Sequence, residues 1–348
     1  MVKNYFFNGN TKVVDGVTLK QIECEEYGEG GWIENESNLA QEGECWVSDD
    51  AMVYGNAKVY GNAKVCDEAK VYENAKVYDE AEVSCNAEIS DYAMVYGNAK
   101  VEYNAKVFGN AEVGDDAIVS DDVYVFYKAK VLGNAKVCGY ARVSGEAELY
   151  HNSIVSGDAK VAGNVKLYNN AVVSKNAKVD GNAEIYGNAR VSGNARVSDN
   201  AYISGNAVIF GNAMILGNAK IIDNAIVYGN AAVYGKAKVS GDAEIYGDAK
   251  VYGSAEVFEN AQVYDNAHIY GSAQVFGDAK VYGNAKIGNS AKILDEAEVY
   301  GDARVCRKAM VYGKARVYDY ANVSDNAKVG GNVNVCDYKV VCGDTIME

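Results

Sequence analysis

Two histidines, eight cysteines and a few paired carboxylates are the residues through which this chain could do chemistry. A histidine is the usual general base near neutral pH, but it needs a group to orient it and a pocket to receive a substrate. Neither His151 nor His268 has a visible carboxylate partner, and neither is flanked by a segment that reads as a pocket-forming loop. No Ser-His-Asp arrangement and no phosphate-cradling glycine loop is present. Cys24, Cys45, Cys66, Cys85, Cys138, Cys306, Cys336 and Cys342 are scattered without zinc-ligand spacing, as expected of free thiols in a reducing compartment. The acidic pairs Asp115-Asp116, Asp121-Asp122 and Asp295-Glu296 lack the Gly-Gly-x-Gly-x-Asp nonapeptide of calcium-bound β-rolls, so they read as solvated corners. The expectation is no catalytic residue, no metal and no cofactor.

What must position these side chains is a repeat. From Val47 to Val341 every sixth residue is Val, Ile or Leu, about 50 times, with no slip in register. Two positions earlier sits a small residue, nearly always Ala, from Ala51 to Ala327. A helix of 3.6 residues per turn would rotate a six-residue stripe around its surface, so no helix explains the pattern. In Ala57-Lys58-Val59-Tyr60 the side chains alternate, Ala and Val to one side, Lys and Tyr to the other. Gly61-Asn62 then makes a corner, because glycine accepts any backbone angle and Asn tolerates the left-handed region. Proline is absent throughout, as an interior strand paired on both sides requires. His151 falls at a corner and His268 replaces the usual Lys, so both read as surface substitutions.

The unit Val-x-Gly-Asn-Ala-x resembles the hexapeptide repeat of parallel β-helices over roughly 85 per cent of the chain. That resemblance implies an all-β, single-stranded parallel β-helix (β-solenoid) with three hexapeptide sides per coil and a left-handed winding. Three hexads would make a coil of about 18 residues, giving about 16 coils and, at about 4.8 Å per coil, a rod roughly 75–80 Å long. The run Gly30-Gly31-Trp32-Ile33-Glu34-Asn35-Glu36-Ser37-Asn38-Leu39 before Trp46-Val47 resembles the start of phage and enterobacterial hexapeptide solenoids labelled acyltransferases. It implies bacterial or prophage origin. The acyltransferases of this family use a histidine base and loops that interrupt the repeat, neither of which this chain displays.

Residues 1–46 lack the repeat and read as an N-terminal cap over the open end of a solenoid spanning 47–348. They carry a net charge of −6, against −9 for all the remaining residues. This sign argues against nucleic-acid partners. Met1-Val2-Lys3 leads into Asn4-Tyr5 without an apolar signal core, and no stretch has the length of a membrane helix. The expected location is the bacterial cytoplasm or a virion.

Wound at 18 residues per coil, the outward aromatics align in columns. The first face reads Phe210, Tyr228, Tyr246, Tyr264, Tyr282, Tyr300 and Tyr318, while the same column further up is rich in serine, as at Ser84, Ser120 and Ser156. A second face carries Tyr60, Tyr78, Tyr96 and then Tyr150, Tyr168, Tyr186, and a third Phe108, Phe126 and then Tyr234, Tyr252, Tyr270. Ile118, Ile154, Val172, Val208 and Ile226 add apolar character to the first face. Such rings stabilise one another by stacking, and a long strip also offers a flat surface to a partner. The sequence therefore reads as a non-catalytic structural or interaction module that associates with itself or binds a protein or glycan along one face. The alternatives are a hexapeptide-type acyltransferase and a phage antagonist of a host defence protein.

Overall fold

The computed structural model describes residues 5–348 and is an all-β parallel solenoid with three sides per coil. Within each unit the hexads contribute two-residue strands that pair in parallel with the strand 18 residues later: Lys58 and Val59 with Lys76 and Val77, Ile226 and Val227 with Glu244 and Ile245. The sides follow the Val47, Val59 and Val53 columns, called here the first, second and third faces. Within each coil-to-coil step the amides flanking the core residue are donated forward, as from Lys58 N–H to Ala75 O (2.9 Å) and from Tyr60 N–H to Val77 O (3.1 Å). The Val and Ala of nearly every hexad are fully buried, and Lys and Tyr lie outside. The expected inside-outside alternation holds. Burial of one Val contributes about 1.5–3 kcal/mol before backbone ordering is subtracted, and the repeat supplies this in every hexad.

The corners differ from the sequence reading in one respect. The left-handed backbone falls on the first corner residue, Gly61 (φ 74°) or Asp79 (φ 59°), and not on the Asn that follows. That Asn has another task. Its side-chain amide donates to the residue 18 positions on, as in Asn188 to Asn206 (3.0 Å), Asn206 to Asn224 (2.9 Å) and Asn224 to Asp242 (2.8 Å). An amide both donates and accepts, so Asn extends such a ladder, whereas a carboxylate only accepts and ends it.

Two compact units divide between Lys175 and Asn176. The first begins with an antiparallel meander of β1 (Tyr5–Val14), β2 (Val17–Cys24) and β3 (Gly28–Ile33). β3 then joins the solenoid in parallel, with Ile33 opposite Val53, and Leu39 bridges to Val59. The link between these is pinned by the buried Asn38, whose amide donates to Gly55 O (3.0 Å) and Ala57 O (2.9 Å). The β1–β2 hairpin lies against the outside of the third face, where Val14, Val17 and Leu19 pack on Met52, Tyr54 and Tyr72. The second unit consists of repeats alone.

Candidate functional site

The seven aromatics of the first face form one continuous stack within the second unit. Centroids are 4.9 Å apart from Phe210 to Tyr228 and from Tyr228 to Tyr246, 4.8 Å to Tyr264, 4.9 Å to Tyr282, 4.8 Å to Tyr300 and 4.9 Å to Tyr318. No interplanar angle exceeds the 11° between Tyr228 and Tyr246. The spacing follows from the strand separation, which sets every residue about 4.8 Å from its counterpart one coil on. Each inner ring therefore spends both faces on its neighbours, and the strip presents ring edges and hydroxyls outward. Burial pushes the Tyr246 phenol up to about 12, helped by the flanking Tyr264 and Tyr228. Burial also raises Tyr282, together with Glu298, whose carboxylate accepts its hydroxyl at 3.2 Å. The strip is thus uncharged at neutral pH. Half-buried Val208 and Ile226 line its N-terminal part, and the ion pair of Arg316 with Glu298 (3.7 Å) its C-terminal part.

Shorter stacks occupy the other faces: Tyr60–Tyr78–Tyr96, Phe108–Phe126, Tyr150–Tyr168 and Tyr234–Tyr252–Tyr270. Tyr186 lies in the second unit and leans on Tyr202 at 33°. Three further stacks, Tyr54–Tyr72, Phe258–Phe276 and Tyr320–Tyr338, escaped the sequence reading, although the same 18-residue spacing marks each of them. Tyr54 is set apart by its cover. The hairpin residues Val14, Val17 and Leu19 leave it 8 % exposed, and burial pushes its phenol up to about 12.

The residues with catalytic potential are not assembled. His151 occupies a left-handed corner (φ 57°) and is exposed. His268 lies half-buried on the third face, its pKa lowered by burial and by Lys250 and Lys286. The two histidines belong to different units, and among the described residues neither forms a hydrogen bond or ion pair with a carboxylate. The Cys66 thiol is pushed up to about 12 by burial and by Asp67, so it is a poor nucleophile. All eight cysteines are free thiols.

The acidic pairs lie at solvent-facing corners, and their carboxylates also act as rungs between coils. Asp115 accepts the Gly133 N–H (2.9 Å) while Asp116 accepts the Asn98 amide (2.9 Å). Asp121 accepts the Gly139 N–H (2.8 Å) and Asp122 the Asn104 amide (3.0 Å). Asp295 accepts the Gly313 N–H (2.9 Å), and Glu296 pairs with Lys314 (3.3 Å). Winding also brings Asp319, Cys336 and Asp337 within metal-ligating reach of one another, but these too serve the corner, with the Asp337 N–H donating to Asp319 (3.3 Å).

The family model described as the YdcK β-solenoid repeat matches residues 183–199 and 261–277. No curated protein sequence matches the chain. Among solved structures, a UDP-N-acetylglucosamine acyltransferase from Campylobacter jejuni is 14% identical, over 55% of this chain and 68% of that one, with a TM-score of 0.22. An Arabidopsis UDP-N-acetylglucosamine acyltransferase is 16% identical, over 66% of this chain and 65% of that one, with a TM-score of 0.20. LpxA from Acinetobacter baumannii is 13% identical, over 55% and 66%, again at 0.20. At these scores the likeness carries no argument about activity.

Proposed function

We propose that this hexapeptide-repeat β-solenoid is a non-catalytic scaffold that docks a protein partner along the tyrosine strip of its first face. The observation that carries this reading is the seven-ring stack itself. A glycan binds aromatic side chains through their ring faces, and here the inner faces are already occupied. A protein surface can instead pack apolar groups on the ring edges and hydrogen-bond the neutral hydroxyls. The molecule contains one example of such cover, where Val14, Val17 and Leu19 of the hairpin close over the Tyr54–Tyr72 stack. A partner offering an apolar β-hairpin or strand fits the first face in the same way. In a phage or prophage setting, which the sequence resemblance implies, that partner belongs to the host or the virion.

Replacement of Tyr246, Tyr264, Tyr282 and Tyr300 by Ser tests the reading. A partner retained by the wild-type chain should be lost by the variant while circular dichroism is unchanged, and retention by the variant would sink the proposal. Acyl transfer by the purified chain that disappears when His151 and His268 are both replaced by Ala would favour the enzymatic alternative.

A further inference from the structure

On the third face, the outward residue before the core position is Lys250, His268, Lys286 and Arg304 on four successive coils, each in register with the next. At some coil steps this position is balanced: Lys100 pairs with Glu82 (2.9 Å), Lys106 with Glu88 (3.0 Å) and Lys130 with Glu112 (3.2 Å), whereas like charges also meet at Lys58 and Lys76 and at Lys178 and Arg196. No carboxylate interrupts the run from Lys250 to Arg304, and among the described residues none of the four makes an ion pair. Like charges directly opposite one another in a sheet are destabilising. Burial lowers the pKa of His268, and repulsion from Lys250 and Lys286 lowers it further. A chain with a net charge of −15 thus leaves an uncompensated cationic column on its surface.

The column borders a groove of about 680 Å³ that extends to the exposed, stacked pair Tyr320 and Tyr338. Asp302, the one carboxylate lining it, already accepts the Asn284 amide at 3.1 Å. The groove therefore suits an anion. A long polyanion would be repelled by the strongly acidic chain as a whole, which leaves a short, locally acidic segment as the fitting ligand. Such a segment exists in this protein. The turn between β2 and β3 carries Glu25 and Glu26 beside the half-exposed Tyr27, with Glu23 and Glu29 on the flanking strand ends, and among the described residues none of these carboxylates makes an ion pair.

We propose that the acidic β2–β3 turn of one copy docks in the groove lined by His268, Lys286 and Arg304 of a second copy. The glutamates neutralise Lys286 and Arg304 at the edge of the Tyr320–Tyr338 stack. Because the two surfaces differ, the contact is heterologous, and a pair so joined keeps one free turn and one free groove for further copies. This contact is separate from the tyrosine strip, and either can fail without the other.

Sedimentation velocity on the full chain tests it. The wild type should associate with rising concentration at low salt, with the apparent dissociation constant weakened at least about tenfold by molar salt, where the Debye length falls to about 3 Å. Lys286→Glu with Arg304→Glu should abolish association, as should Glu25→Lys with Glu26→Lys, a change outside the repeats that leaves the solenoid intact. Mixing the two variants sets each altered turn against a complementary groove and should restore association. A wild type that stays monomeric at every concentration, association indifferent to both reversals, or a mixture that fails to associate would overturn the proposal. Binding of a short anionic glycan by a monomeric chain, lost on the groove reversal, would assign the groove to that ligand instead.

Discussion

The ring of Tyr270 lies over Gly288, in the space that any side chain at that position would need. The same arrangement recurs at Tyr96 over Gly114 and at Tyr312 over Gly330. Tyr96 and Tyr270 end their stacks, and Tyr312 stands between Leu294 and Gly330, so none of the three has a ring on the next coil. When the next coil supplies glycine, the ring turns down and covers the backbone. The tilt is visible where Tyr252 and Tyr270 meet at 15° and 5.6 Å, against 1° and 4.8 Å between Tyr246 and Tyr264 inside the long stack. Glycine at these sites has ordinary backbone angles, so its role is steric.

Gly288→Ala should therefore destabilise the chain by about 1–3 kcal/mol, the usual cost of overpacking. Tyr270→Ser should remove most of that penalty, since the obstructing ring is gone. Urea denaturation of the two single variants and the double variant checks this through their coupling. Additive effects would mean that Tyr270 is free to swing clear.

A second prediction concerns the corner acids. Asp199 holds a left-handed backbone (φ 61°), and its carboxylate accepts the Gly217 N–H at 2.8 Å. Asp199→Asn keeps an acceptor and a residue that tolerates this conformation, so its stability should match the wild type. Asp199→Ala loses the acceptor and leaves a methyl group at positive φ, which should cost about 1–3 kcal/mol. Asp199→Gly relieves the backbone but not the lost bond and should fall between the two. Chemical denaturation orders the three, and equal stability of Ala and Asn would show that the rung contributes nothing.

The regular parts of the molecule could be read from the sequence because the register never slips. Val59 and Ala57 had to face inward together, and winding at 18 residues places Phe210 through Tyr318 in one column. What escaped depends on neighbours 18 residues away read jointly rather than one at a time. Asp115 alone looks like a solvated corner, and only the Gly133 N–H above it makes it a rung. Lys250, His268, Lys286 and Arg304 each look like an ordinary outward residue, and only the absence of a carboxylate among them makes a cationic column. The hairpin packing on Tyr54 lay beyond periodicity altogether, because β1 and β2 lie outside the repeat.

The last prediction separates stacking from partner binding in the long strip. Tyr264 touches two rings, Tyr246 and Tyr282, whereas Tyr318 stacks on Tyr300 alone. If each stacked pair contributes about 0.5–1.5 kcal/mol, Tyr264→Ser should cost about twice what Tyr318→Ser costs. Tyr246→Ser and Tyr264→Ser should be coupled, since they remove a shared contact. Tyr228→Ser and Tyr300→Ser, with three rings between them, should be additive. Thermal and urea unfolding of these variants measures the stacking term without any partner. Serine already fills this column in the first unit, at Ser84, Ser120 and Ser156, so the coils themselves accept the change. A variant that keeps its fold yet loses the partner assigns binding to the ring edges. Losses of stability that ignore the number of neighbours would show that the rings act through burial of the strand beneath them and not through one another.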